Sequence, residues 1–194
     1  DMPLARCTIM TYEKVTYDVT WWMANAEDPN NPMNCFVKHY ELSPIMAFLR
    51  AWQNREQRWV YLLEGEEKKV WNQYMFEQSG LSQLPEAVKR SMRSSQKIIL
   101  NACFMDFGGI TFSSFEPFSH EHFDILVRVT NVFDQTYTRY LDLQKAEKQA
   151  REAQIEAALE RVRSRTMSMS SSTELREVVA TIYDQLQHLG FTNG

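Results

Sequence analysis

The sequence predicts an α+β domain on a mostly antiparallel sheet of about six strands with flanking helices, followed by a long helix of coiled-coil type. Three observations carry that expectation. β-rich runs dominate the first part of the chain, helical spacing of apolar residues fills the middle, and neither Gly nor Pro occurs from Phe123 to Met167. A chain of 194 residues holds one full domain plus extra elements, and 44% hydrophobic residues suffice for a core.

Leu4 to Thr11 and Val15 to Met23 are rich in Val, Ile, Thr, Tyr and Trp and are separated by the polar Glu13-Lys14, which predicts a tight hairpin. Asn25 to Asn34, with Pro29 and Pro32, reads as a loop, and Cys35 to Glu41 as a third strand. Ser43-Pro44 has the form of an N-cap followed by a first-turn proline, before Ile45, Phe48, Leu49 and Trp52 at helical spacing. Arg58 to Glu64, closed by Gly65, reads as a buried strand. Glu66 to Glu77 and Pro85 to Arg93 are helical in composition and are split by Ser79-Gly80-Leu81-Ser82. Lys97 to Phe107 and Ile110 to Phe115 then flank Gly108-Gly109, a spacer suited to a two-residue turn because glycine accepts positive φ.

Ser119 has the position of an N-cap, with Phe118 and Phe123 placed as a hydrophobic staple. The helix it opens is expected to run roughly 45 residues, about 65–70 Å at 1.5 Å per residue. Leu143, Ala146, Ala150, Ala153 and Ala157 follow one 3,4 spacing, and Ile155, Leu159, Val162, Thr166 and Met169 follow another on a different face. The seam shifts near Ile155, as in a coiled-coil stutter or a helix that meets two neighbours in succession. Ser171 and Glu174 form a capping box before the amphipathic run Leu175 to Leu189, which Gly190-Phe191 closes. The expected division is a domain over 1–138, a signalling helix over 139–169, and over 170–194 a helix that starts a following domain.

A formal charge of -4, with 21 Lys+Arg against 25 Asp+Glu, gives no positive field for nucleic acid or an anionic membrane surface. No run is apolar enough to cross a membrane, and Asp1-Met2-Pro3 does not open a signal peptide. Cys7, Cys35 and Cys103 are odd in number and far apart, which points to free thiols in a reducing compartment, the cytoplasm.

The segment Gly109-Ile-Thr-Phe-Ser-Ser-Phe-Glu-Pro-Phe-Ser-His-Glu-His-Phe-Asp-Ile-Leu126 resembles the last strand and C-terminal helix of a GAF-type sensory domain. Tyr137 to Glu147 and Arg151 to Met167 are similar to the inter-domain helix of bacterial sensor proteins and sensor histidine kinases, and Glu174 to Phe191 to the first helix of a following GAF domain. The resemblance is in motifs after residue 95 and in element order before it. It implies a regulatory input module that passes ligand or partner state through a long dimeric helix to an output domain. The helix that precedes the first strand in that family is missing, so another element must cover its apolar surface, either residues 174–189 or a partner's long helix. The family's cyclic-nucleotide signature and bilin-attachment cysteine are also missing, so no cofactor is named.

Aromatic residues such as Trp21, Trp22, Trp52, Trp59, Tyr61 and Trp71 read first as core and second as pocket wall. The expected ligand wall is Trp59 and Tyr61 with the polar-containing strand face of Asn101, Cys103 and Met105. The expected homodimer interface is Leu143, Ala146, Ala150, Ala153, Ile155, Leu159 and Val162. Cys103 with His120, His122 and Asp106 has the residue types of a thiol nucleophile but no activating context, and His120-x-His122 lacks two further ligands for a metal. No catalytic or metal residue is therefore assigned. The alternative function is a structural dimerisation module with no small-molecule ligand.

Overall fold

A computed structural model describes residues 4–26, 28–84 and 86–191. The expectations for Asp1-Met2-Pro3 and for Pro85 lie outside these residues. Contacts divide the chain into two units, 1–136 and 137–194.

In the first unit, strands β1 (Leu4–Tyr12), β2 (Val19–Asn25), β3 (Asp28–Val37), β4 (Trp59–Glu64), β5 (Lys97–Met105) and β6 (Gly108–Ser114) form one sheet in the order β3-β2-β1-β6-β5-β4. Every neighbouring pair is antiparallel. Helices α1 (Ser43–Gln53), α2 (Gly65–Gln78) and α3 (Glu86–Ser94) belong to the first unit, and α4 (His120–Met167) begins there. The α+β class and the long helix follow the sequence expectation.

Alternation along the strands sends side chains into two cores. Met10, Trp21, Met23, Trp59, Leu100, Ala102 and Phe104 meet α1 and α2 through Phe48, Trp52, Trp71 and Met75. On the other face Cys103, Met105 and Ile110 meet Phe123 and Leu126 of α4.

Several local expectations are corrected. Much of the expected 25–34 loop is strand: Asn25 ends β2 and β3 runs Asp28–Val37, with Pro29 and Pro32 on an edge strand where the β2–β3 register shifts, a place that tolerates proline. The β1–β2 connection is longer than a tight turn; Glu13 N donates to Asp18 O at 2.8 Å, and Tyr17 takes a φ of 60°. Ser43 is the first residue of α1 rather than its cap, and its Oγ lies 3.2 Å from Tyr61 Oη. β4 is a half-buried edge strand, with Val60 and Leu62 each 46% exposed.

Gly108 and Gly109 are not the turn but the start of β6; the turn is Asp106-Phe107, between the paired Met105 and Gly108. Close approach is what needs glycine here. A Cβ on Gly108 would stand 1.8 Å from the Met10 carbonyl oxygen, and one on Gly109 would stand 2.8 Å from the Phe104 ring. Positive φ occurs instead at Gly65, at 58°, where the chain leaves β4 for α2.

Ser119 caps α4, its Oγ accepting from His122 N at 3.2 Å, and the Phe118 and Phe123 rings meet at 5.6 Å. In the second unit, α5 (Leu175–His188) lies antiparallel to α4. Arg151 donates to Leu189 O at 2.6 Å, Arg161 to Gln185 Oε1 at 2.8 Å, and Arg165 pairs with Glu177. Ala158, Val178 and Gln185 are buried in this unit. The last helix thus takes the 151–165 stretch of α4 as its own neighbour.

Gly108→Ala is expected to cost on the order of 3 kcal/mol, because its contact is rigid backbone. Gly65→Ala, with open space and only positive φ against it, should cost about 1 kcal/mol. Urea unfolding of both variants checks the order.

Candidate functional site

The first unit holds a partly open cavity of about 50 Å³ between the α1–α2 face of the sheet and the helices. β1 contributes Arg6, Thr8 and Met10, β5 contributes Ile98 and Leu100, and β6 contributes Thr111 and Ser113; alternate residues of a strand share a face. Trp21, Phe48, Trp71, Asn72, Leu81, Met92 and Ser95 complete the wall around Lys68.

Lys68 sits in the buried stripe of α2 that Trp71, Asn72, Met75 and Phe76 continue. Only 5% of it is exposed, and burial pushes its ammonium pKa down. Its Nζ donates to the Met92 carbonyl at 2.5 Å, and Asn72 Nδ2 and Ser95 Oγ donate to the same oxygen at 3.3 and 3.2 Å. Arg6 spans the rim, with Nε donating to Asn25 Oδ1 at 2.8 Å and Nη2 lying 3.2 Å from Met92 Sδ.

None of the five ligand-wall residues named from sequence lines this cavity. Trp59 is in the same core, stacked on Tyr61 at 5.4 Å, while Tyr61 Oη donates to Glu67 at 2.6 Å. Asn101, Cys103 and Met105 face the opposite way, toward α4.

Asn101 is fully buried as a clasp between sheet and helix: Nδ2 donates to Ser114 Oγ at 2.8 Å, and Oδ1 accepts from Phe118 N at 3.1 Å. Cys103 is buried, and burial pushes its thiol pKa up, which disfavours a thiolate. His120 and His122 are engaged at the start of α4, with Arg58 and Ser119 respectively.

Of the aromatic residues weighed from sequence, Trp21 and Trp71 reach the cavity. The missed residues are Arg6, Lys68 and Asn72. A lysine three and seven residues before the core positions Trp71 and Met75 was the available signal for Lys68.

Of the interface residues named from sequence, Leu143, Ala146, Ala150, Ala153 and Leu159 are exposed, while Ile155 and Val162 are half-buried in the stretch paired with α5. No protein-family model, curated protein or solved structure matches the chain.

Asn101→Leu leaves the half-buried Phe118 N–H and the Ser114 hydroxyl without their Asn101 partner, for an expected loss of about 1–3 kcal/mol. Faster amide exchange at residues 118–123 would accompany that loss, and hydrogen-exchange mass spectrometry with urea unfolding measures both.

Proposed function

We propose that this chain is a regulatory input module of a bacterial signal-transduction protein, of the GAF-type sensory kind. It binds a small molecule or partner in the first unit and passes that state through a dimeric α4 to an output domain outside these 194 residues. The reading rests on α4, one helix of 48 residues whose first turns seal a core of the sheet and whose apolar positions Leu143, Ala146, Ala150, Ala153 and Ala157 are exposed.

Within the first unit, α4 exposes Ile125 by 54%, Val129 by 49% and Val132 by 65%. Within the second it exposes Leu143, Ala146, Ala150, Ala153 and Ala157. Both runs fall on a and d positions of one heptad register, the pattern by which helices pair. Trp22 and Phe36 also stay exposed on the sheet face that seats α4, apolar surface that a second copy would cover.

Strands β5 and β6 supply the link between ligand and helix. Leu100, Thr111 and Ser113 line the cavity, and their neighbours Asn101, Ile110 and Ser114 hold the first turns of α4 or bond to what does. A ligand shifts the helix only by binding one state better, by on the order of 1–3 kcal/mol for useful coupling. The free thiols of Cys7, Cys35 and Cys103 support a reducing compartment, the cytoplasm.

Sedimentation equilibrium at micromolar concentration is expected to give a dimer. Leu143→Glu with Ala150→Glu, both at exposed positions, should weaken it at least about tenfold without loss of helix content. A monomer, or an unchanged dimer affinity, contradicts the reading. A dimer in which no ligand reaches the cavity is the structural dimerisation module instead.

A further inference from the structure

Among the described residues that line the cavity, Lys68 brings a buried ammonium and none is an Asp or Glu. Among the described residues Lys68 donates one hydrogen bond, to the Met92 carbonyl, and an ammonium carries three donors. Asn72 and Ser95 already share that carbonyl. Trp21, only 7% exposed, also lines the cavity, and its Nε1–H has no acceptor among the described residues. Thr8, Thr111 and Ser113 add hydroxyl groups to the same wall.

A buried ammonium whose one acceptor is a shared neutral carbonyl, and a buried indole N–H with no acceptor among the described residues, each cost free energy that one negative acceptor would offset. Size narrows the choice. The inner volume of about 50 Å³ has room for roughly four water-sized groups, the size of a small ion. The rest of the wall, with Met10, Phe48 and Leu100, disfavours an ion of higher charge.

We propose that this cavity is the binding site of a small monovalent oxyanion, of the size of a short-chain carboxylate or nitrate, held by Lys68 and the Trp21 N–H. The inference rests on the input-module reading in taking the cavity as the ligand site. It adds a role for Lys68: the lysine interrupts an apolar stripe because the anion supplies its counter-charge.

The test titrates the full chain with sodium acetate and sodium nitrate at constant ionic strength, with acetamide as the neutral counterpart of acetate. Calorimetry and tryptophan fluorescence report binding. Saturable binding of at least one anion, with a Kd in the range of about 0.1–10 mM, is expected, and none of acetamide. Which anion saturates separates the organic from the inorganic source. Lys68→Met should weaken binding at least about tenfold, with the urea midpoint unchanged or raised. Trp21→Phe, which keeps a ring and removes the donor, should weaken it about fivefold and decides alone if the lysine variant does not fold.

The proposal is overturned if neither anion saturates, if acetamide binds as well as acetate, or if the folded variants bind like the parent chain. Sedimentation of the same samples separates the two readings. Anion binding by a chain that stays monomeric supports this site and refutes the dimeric relay, whereas a dimer that binds neither anion refutes this site and leaves the relay intact.

Discussion

A helix in water with no tertiary cover is marginal, and that constraint governs the reading of this molecule. Every residue of α4 from 142 to 150 is exposed. The sheet core is met by Phe123 and Leu126, and the ties to α5 begin at Arg151. The exposed 142–150 stretch carries Leu143, Ala146 and Ala150 at heptad spacing, and the small Ala146 and Ala150 let a second helix approach closely. In the proposed dimer a second copy of the same helix covers this surface, so the relay requires the dimer.

The upstream end of that helix is fixed with care. Asn101 ties β5 to Ser114 and to the chain just before the Ser119 cap, and the Phe118 and Phe123 rings close over the junction. Because strand side chains alternate, the two strands that seat the helix also wall the cavity, so a shift of either strand is felt on both faces. The short Cβ distances at Gly108 and Gly109 show how closely β6 is packed against β1 and β5 at the same place. A densely packed sheet transmits small displacements rather than absorbing them.

How much of this was legible in the sequence varied with the kind of signal. The long helix was plain, because the Ser119 cap, the aromatic staple and the lack of breakers all agree. Order and pairing of the last two strands were also legible, but their glycines were read as a turn, since sequence cannot tell a glycine needed for backbone rotation from one needed for backbone approach. Pro29 and Pro32 hid β3, because edge position is a property of the finished sheet. The cavity was missed for a similar reason: the wall was placed on the Asn101 face because that face carries the polar residue, yet tertiary structure uses Asn101 as a clasp and Lys68 of α2 as the polar group of the other face. Helix α5 drew Ile155 and Val162 into an intrachain pairing that heptad spacing alone could not distinguish from a pairing between copies.

Amide hydrogen exchange across residues 138–150, followed as a function of protein concentration, tests the central claim most directly. Protection that rises with concentration, in step with association, is the result this account predicts. Fast exchange in that stretch, unchanged at every concentration, would contradict it, because the helix would then stand without a partner.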